Sequence, residues 1–210
     1  MLGISVIGIG SPAYSDDAAD VDKMIKTSMD DVLSITKKTN MTVDQKRNAL
    51  WQVVLKTFDF EKVTEFTLAQ FSYNSKSNLG EYSDRRFTKD EQNEFRDVFT
   101  RHLSNTYLDR MDLNKANFNI DLKPAEILES IKGIKRAEVK TIINKKTPID
   151  YILLNDGKGW KVYDVKVEGR SLVSAFRTEY KNILLKDKPN VLIQMLKDKI
   201  AQHDKAKKHV

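Results

Sequence analysis

The chain of 210 residues carries 36 Lys and Arg against 30 Asp and Glu, a net charge of +6, and no cysteine. Thiol catalysis, thiolate metal sites and disulfides are thereby excluded. Length and 40% hydrophobic content fit one globular domain, and no internal run approaches the roughly 20 apolar residues of a membrane helix.

Residues 1–15, "MLGISVIGIGSPAYS", hold no charge and end in Ala13-x-Ser15 before the acidic "DDAAD". This reads as the remnant of a secretory signal without its basic start. The rest reads as one domain, 16–203, with a basic tail over 204–210. Val21, Met24, Ile25, Met29, Val32 and Leu33 predict a helix over 20–36. "TVDQ" (42–45) is a capping box, and Leu50, Val53, Val54 and Phe58 follow at helical spacing. A third helix is expected over 61–71, then a polar loop over 72–86. "TKDE" (88–91) is a second capping box, opening a helix striped by Phe95, Val98, Phe99, Leu103, Tyr107 and Met111.

The period then changes. "FNIDL" (118–122), "AEVKTII" (137–143), "IDYILL" (149–154) and 160–168 read as strands joined by the short turns "NKKTP" and "NDGKG", so antiparallel hairpins are expected. Tyr151 to Leu154 are apolar on both faces. Parity sends Trp160 and Val162 one way and Tyr163, Val165 and Val167 the other, and the register shift across Asp164 predicts a bulge. Such a sheet needs cover on both faces, either from two layers of protein or from protein on one face and an apolar ligand on the other. Helices over 171–185 and 190–203 close an α+β chain: a helical N-terminal half, an antiparallel sheet of about four strands, and two C-terminal helices.

Chemistry is sparse. Of His102, His203 and His209, only His102 sits within a strong element, and a triad has no second member. Asp164 reads either as a general base in a semi-apolar sheet or as an anchor collecting hydrogen bonds at a bend. Gly169-Arg170-Ser171-Leu172-Val173 lacks the second glycine of a nucleophile elbow, so Gly169 reads as a turn and Ser171 as a helix N-cap. No phosphate-loop, dinucleotide or calcium motif appears, and no cofactor or metal is expected. The basic clusters at Arg85-Arg86, Lys132/Lys135/Arg136, Lys145-Lys146 and 205–209 are scattered and lack interleaved exposed aromatics. That argues against nucleic acid and leaves transient contact with an anionic membrane surface open.

"IDYILLNDGKGWKVYDVKVEGRSLVSAFRTEYKNIL" resembles the C-terminal signature of the toluene-tolerance family, the MlaC-type periplasmic phospholipid carriers. The matching positions are Tyr151, Trp160, Tyr163-Asp164, Glu168-Gly169, Ser171 and Arg177, and "EFRDVFTRHLSNTY" (94–107) is similar to the family's helix of spaced Phe and Tyr. Arg170 departs from the small aliphatic residue expected there, and the 72–86 loop is longer than usual. The resemblance implies a soluble periplasmic carrier that encloses a glycerophospholipid in an apolar cavity and moves it between inner and outer membranes. Its implied partners are an inner-membrane ABC transporter complex and an outer-membrane lipoprotein. Exposing one long acyl chain to water costs on the order of 12 kcal/mol, so the tails must be enclosed. From apolar pattern, the lipid-contacting candidates are Phe58, Phe66, Phe99, Leu103, Tyr107, Tyr151, Leu153, Val162 and Phe176. Asp164, Gly169 and Ser171 are structural candidates, and no catalytic residue is needed. The alternatives are a sheet-and-helix cone enzyme using Asp164 as base on a hydrophobic substrate, and an interaction module with a filled core.

Overall fold

The structure, a computed structural model, describes residues 16–108, 113 and 119–208. The expected signal remnant, Met111, Phe118 and His209 lie outside the described residues. Four helices come first: α1 (Asp16–Lys37), α2 (Val43–Thr57), α3 (Phe60–Leu68) and α4 (Lys89–Tyr107). Both capping boxes form. The Thr42 and Thr88 side chains accept from the Gln45 and Glu91 amides, and the Gln45 and Glu91 side chains accept in return from the cap amides. These satisfy donors that a helix start otherwise leaves orphaned.

The strands are β1 (Ile120–Leu122), β2 (Glu126–Ile131), β3 (Ile134–Ile143), β4 (Thr147–Asn155), β5 (Lys161–Val167) and the two-residue β6 (Arg170–Ser171). All pair antiparallel in the order β1-β3-β4-β5-β6, and β2 shares the β3 edge with β1. Glu168 and Gly169 both take positive φ, 51° and 76°, in the two-residue turn between β5 and β6. This is the twist a tight hairpin demands and the reason for glycine there. Two helices, α5 (Leu172–Leu184) and α6 (Pro189–Lys208), end the described chain.

Several boundaries differ from expectation. The helix expected over 61–71 ends at Leu68 and finishes as a 3-10 turn over Ala69–Phe71. The 72–86 loop contains a 3-10 turn, Gly80–Arg85. The Arg86 guanidinium also draws it together by donating to the carbonyls of Ser72, Ser75 and Ser77. Helix α6 continues through 204–208, where a separate tail was expected, and Arg101 holds Asp204 at 2.6 Å. Strand β2 was not anticipated. It lies at a sheet edge with no buried residue, so its sequence shows no alternation.

The bulge sits one residue before Asp164. Ile152 pairs with Asp164 and Leu153 with Val162, leaving Tyr163 as the extra residue. Val162, Val165 and Val167 therefore share one face, opposite Leu153, Tyr151 and Ile149, which corrects the parity assignment. On the reverse face Ile152 and Leu154 are buried. Hydrogen bonds from Arg136 Nε to the Tyr163 hydroxyl (3.2 Å) and from Lys166 Nζ to Glu138 (2.7 Å) link β3 to β5 across them. Long polar side chains thus run along that face, and Phe66 of α3 packs against the Tyr163 ring beside it, 4.9 Å between centroids.

Two apolar cores result. Helices α3 to α6 enclose Phe71, Phe87, Phe95, Phe99, Tyr180, Leu184 and Leu196. Helix α1 packs Ala18, Val21 and Ile25 on Ala137, Val139, Leu153 and Val162 of the sheet. Phe58 touches both clusters. Its backbone, just past α2, bridges to Val162, and the next amide, Asp59, donates to the Val162 carbonyl at 2.9 Å.

Candidate functional site

Between the two cores the packing opens into two adjoining apolar cavities. The first, of about 290 Å³, lies among α2, α3, α4, α5 and the sheet. Its walls include Trp51, Val54, Phe58, Phe99, Leu103, Tyr107 and Phe176 from the helical side, with Ile149, Tyr151 and Val165 from the strands. The second, of about 370 Å³, lies between α1, α2 and the sheet, against Ile25, Met29, Val32, Leu50, Val53, Ile120 and Ile143. Both are lined by Val54, Phe58, Leu108, Ile149 and Tyr151. Tyr107, 40% exposed, sits at the rim of the first.

Ligand pockets span about 300–1,000 Å³, so the pair is of the right scale for an elongated apolar ligand. Apolar space left unfilled costs stability, because the side chains around it forgo packing contacts. A sequence selected only for stability would fill that space.

Of the nine predicted contact residues, Phe58, Phe99, Leu103, Tyr107, Tyr151 and Phe176 lie on these walls. Leu153 and Val162 reach neither cavity; each is wholly buried in the sheet core beneath α1. Phe66 is also off the walls, with its ring 4.9 Å from that of Tyr163. Sequence reasoning missed Trp51, Val54, Ile149 and Val165, and it missed the second cavity altogether. The one available signal was the α1 stripe of Ile25, Met29 and Val32, which reads equally well as solid core.

The polar groups on the walls are mostly spent on the protein itself. Asp164 borders the first cavity. Its Oδ1 accepts from the Val165 amide (2.8 Å) and the Val173 amide (3.0 Å), and its Oδ2 from the Ser171 hydroxyl (2.5 Å). Ser171 in turn caps α5 by accepting from the Ser174 amide at 2.9 Å. The carboxylate thus joins the bulged strand to the start of a helix, which is the geometry of an anchor. Ser28 and Thr57, on the second cavity, share a hydrogen bond of 3.0 Å.

Burial pushes the Tyr151 phenol up to about 12, although part of its surface remains accessible inside the cavity. His102 borders neither cavity. Burial, followed by the nearby Lys199 charge, holds its pKa below the usual histidine range. Among the described residues no cluster of acidic and histidine side chains has a metal-binding arrangement, and no helix is long and apolar enough to cross a membrane.

A sequence model of the MlaC protein family matches residues 26–198. Among solved structures, the chain is similar to a phospholipid-binding protein from Ralstonia solanacearum, determined in complex with a phospholipid. The two are 22% identical and superpose with a TM-score of 0.71, over 88% of this chain and 99% of the other. No curated protein sequence matches the chain.

Proposed function

We propose, from the premise that this chain belongs to the MlaC family, that it is a periplasmic carrier of glycerophospholipid. In this reading the acyl chains fill the two cavities and the head group stays by the rim at Tyr107. The carrier takes lipid from one membrane to the other, exchanging it with an inner-membrane ABC transporter complex and an outer-membrane lipoprotein. The observation that carries the proposal is the pair of adjoining apolar cavities between two otherwise solid cores.

The phospholipid held by the structurally similar Ralstonia protein supports the ligand class. The enzyme alternative loses ground because the Asp164 carboxylate is committed to three protein donors and, among the described residues, neither cavity wall carries a histidine. Denaturing extraction of the purified protein followed by mass spectrometry tests the reading. Near-stoichiometric phospholipid with two acyl chains is expected. A lipid-free protein from a lipid-replete host would overturn it.

A further inference from the structure

Tyr151 occupies a particular place on the cavity walls. It stands on β4, between Val139 of β3 and Val165 of β5, and it lines both cavities. A tyrosine on a strand projects roughly perpendicular to the sheet, so its ring stands at the boundary between the two spaces. Val54, Phe58, Leu108 and Ile149, which also line both, are apolar. Tyr151 is the member of that boundary with a side-chain donor.

The other polar groups nearby are engaged. Asp164 accepts three hydrogen bonds, Tyr163 accepts from Arg136, and Thr57 bonds Ser28 and the Val53 carbonyl. The Tyr151 hydroxyl has no partner among the described residues, and burial alone accounts for its raised pKa. The contrast with Tyr180 is instructive: that hydroxyl is sealed in the helical core, whereas Tyr151 faces open space. Tyr151 is only half-buried, so its hydroxyl, facing the cavities, is free to donate to whatever fills them.

We infer that the Tyr151 hydroxyl donates a hydrogen bond to an ester carbonyl of the bound lipid, at the point where its two acyl chains part into the two cavities. The inference rests on the carrier reading above. In a diacyl lipid the ester carbonyls are the acceptors at the head of each chain, just where the chains diverge. A lipid pulled too far in would bury its phosphate, and one held too far out would expose methylenes. A donor at the fork sets the depth. Tyr151 is thus a positioning residue, and it favours ester-linked over ether-linked lipid.

The test uses the full chain, delipidated and then titrated with dioleoyl phosphatidylcholine or its dialkyl ether analogue, for wild type and Tyr151→Phe. The lipid-free variant should melt with wild type, because the hydroxyl holds no protein partner; a clear drop would overturn the inference. The variant should bind the ester lipid about tenfold more weakly, equivalent to about 1.4 kcal/mol, and the ether lipid as wild type does. The infrared carbonyl band of bound ester lipid should lie at lower wavenumber in wild type and return to the unbonded position in Tyr151→Phe. Equal weakening of both lipids, or none, would overturn the inference while leaving the carrier reading intact. Failure of wild type to hold either lipid would remove both.

Discussion

Replacing Leu103 by Trp asks whether the space beside α4 is a ligand site or a packing gap. Leu103 sits one turn beyond Phe99 and one turn before Tyr107, and all three border the first cavity. The larger side chain extends into a void of about 290 Å³. If the added ring fills about 50 Å³ of it, then at about 24 cal/mol per Å³ the lipid-free protein gains about 1 kcal/mol. For a chain of this length that is a rise of about 2–4 °C in Tm. In a solid core the same change overpacks and costs about 1–3 kcal/mol, a fall of similar or larger size. Bound lipid should decrease severalfold, because the indole takes the place of chain methylenes. Differential scanning calorimetry of delipidated protein and lipid quantification on the same preparation read both effects. Destabilisation with lipid content unchanged would refute the reasoning and take this helix face out of the site.

Other perturbations test other parts of the structure. Asp164→Ala leaves the Val165 and Val173 amides and the Ser171 hydroxyl without their acceptor; denaturant titration should show a loss of about 2–4 kcal/mol. Thr88→Ala removes the cap and half the capping box of α4 and should cost about 1 kcal/mol by the same titration. His102 has a lowered pKa in the fold, so the folded state binds its proton less readily than the unfolded chain. Its contribution is complete above the unfolded value of about 6.5 and is lost as pH falls through that value toward the folded one. Wild type should therefore lose more Tm than His102→Gln between pH 7.5 and pH 5.5, and identical losses would contradict this.

The helices were legible because their signals are local. Thr42 with Gln45 and Thr88 with Glu91 mark their own starts, and the aromatic stripe of α4 repeats at helical spacing. The turns at Asn144–Lys146 and around Gly157 and Gly159 announced the β3-β4-β5 hairpins in the same way. Strand β2 was silent because an edge strand with Ile127 and Ile131 exposed buries nothing that would impose a period. The turn at Lys132-Gly133, both with positive φ, was its one local sign. The site was only half legible. Phe99, Leu103 and Phe176 on a cavity wall and Leu153 and Val162 in solid core have the same apolar pattern, since periodicity reports which way a side chain points and says nothing of whether protein atoms or space lie beyond it. Asp164 was readable as an anchor because a bulge and a helix start fall within ten residues of it. The lone hydroxyl of Tyr151 was not readable, because the lack of a partner is a property of the assembled fold.

The central claim is that the space shared by Phe58 and Tyr151 holds the chains of a phospholipid. A crystal structure of the protein as purified, without added lipid, tests it most directly. The account predicts branched density with one acyl chain in each cavity, parting beside Phe58 and Tyr151, and a head group emerging near Tyr107. Cavities closed by repacked side chains, or lipid density on the outer surface while both cavities stand empty, would contradict it.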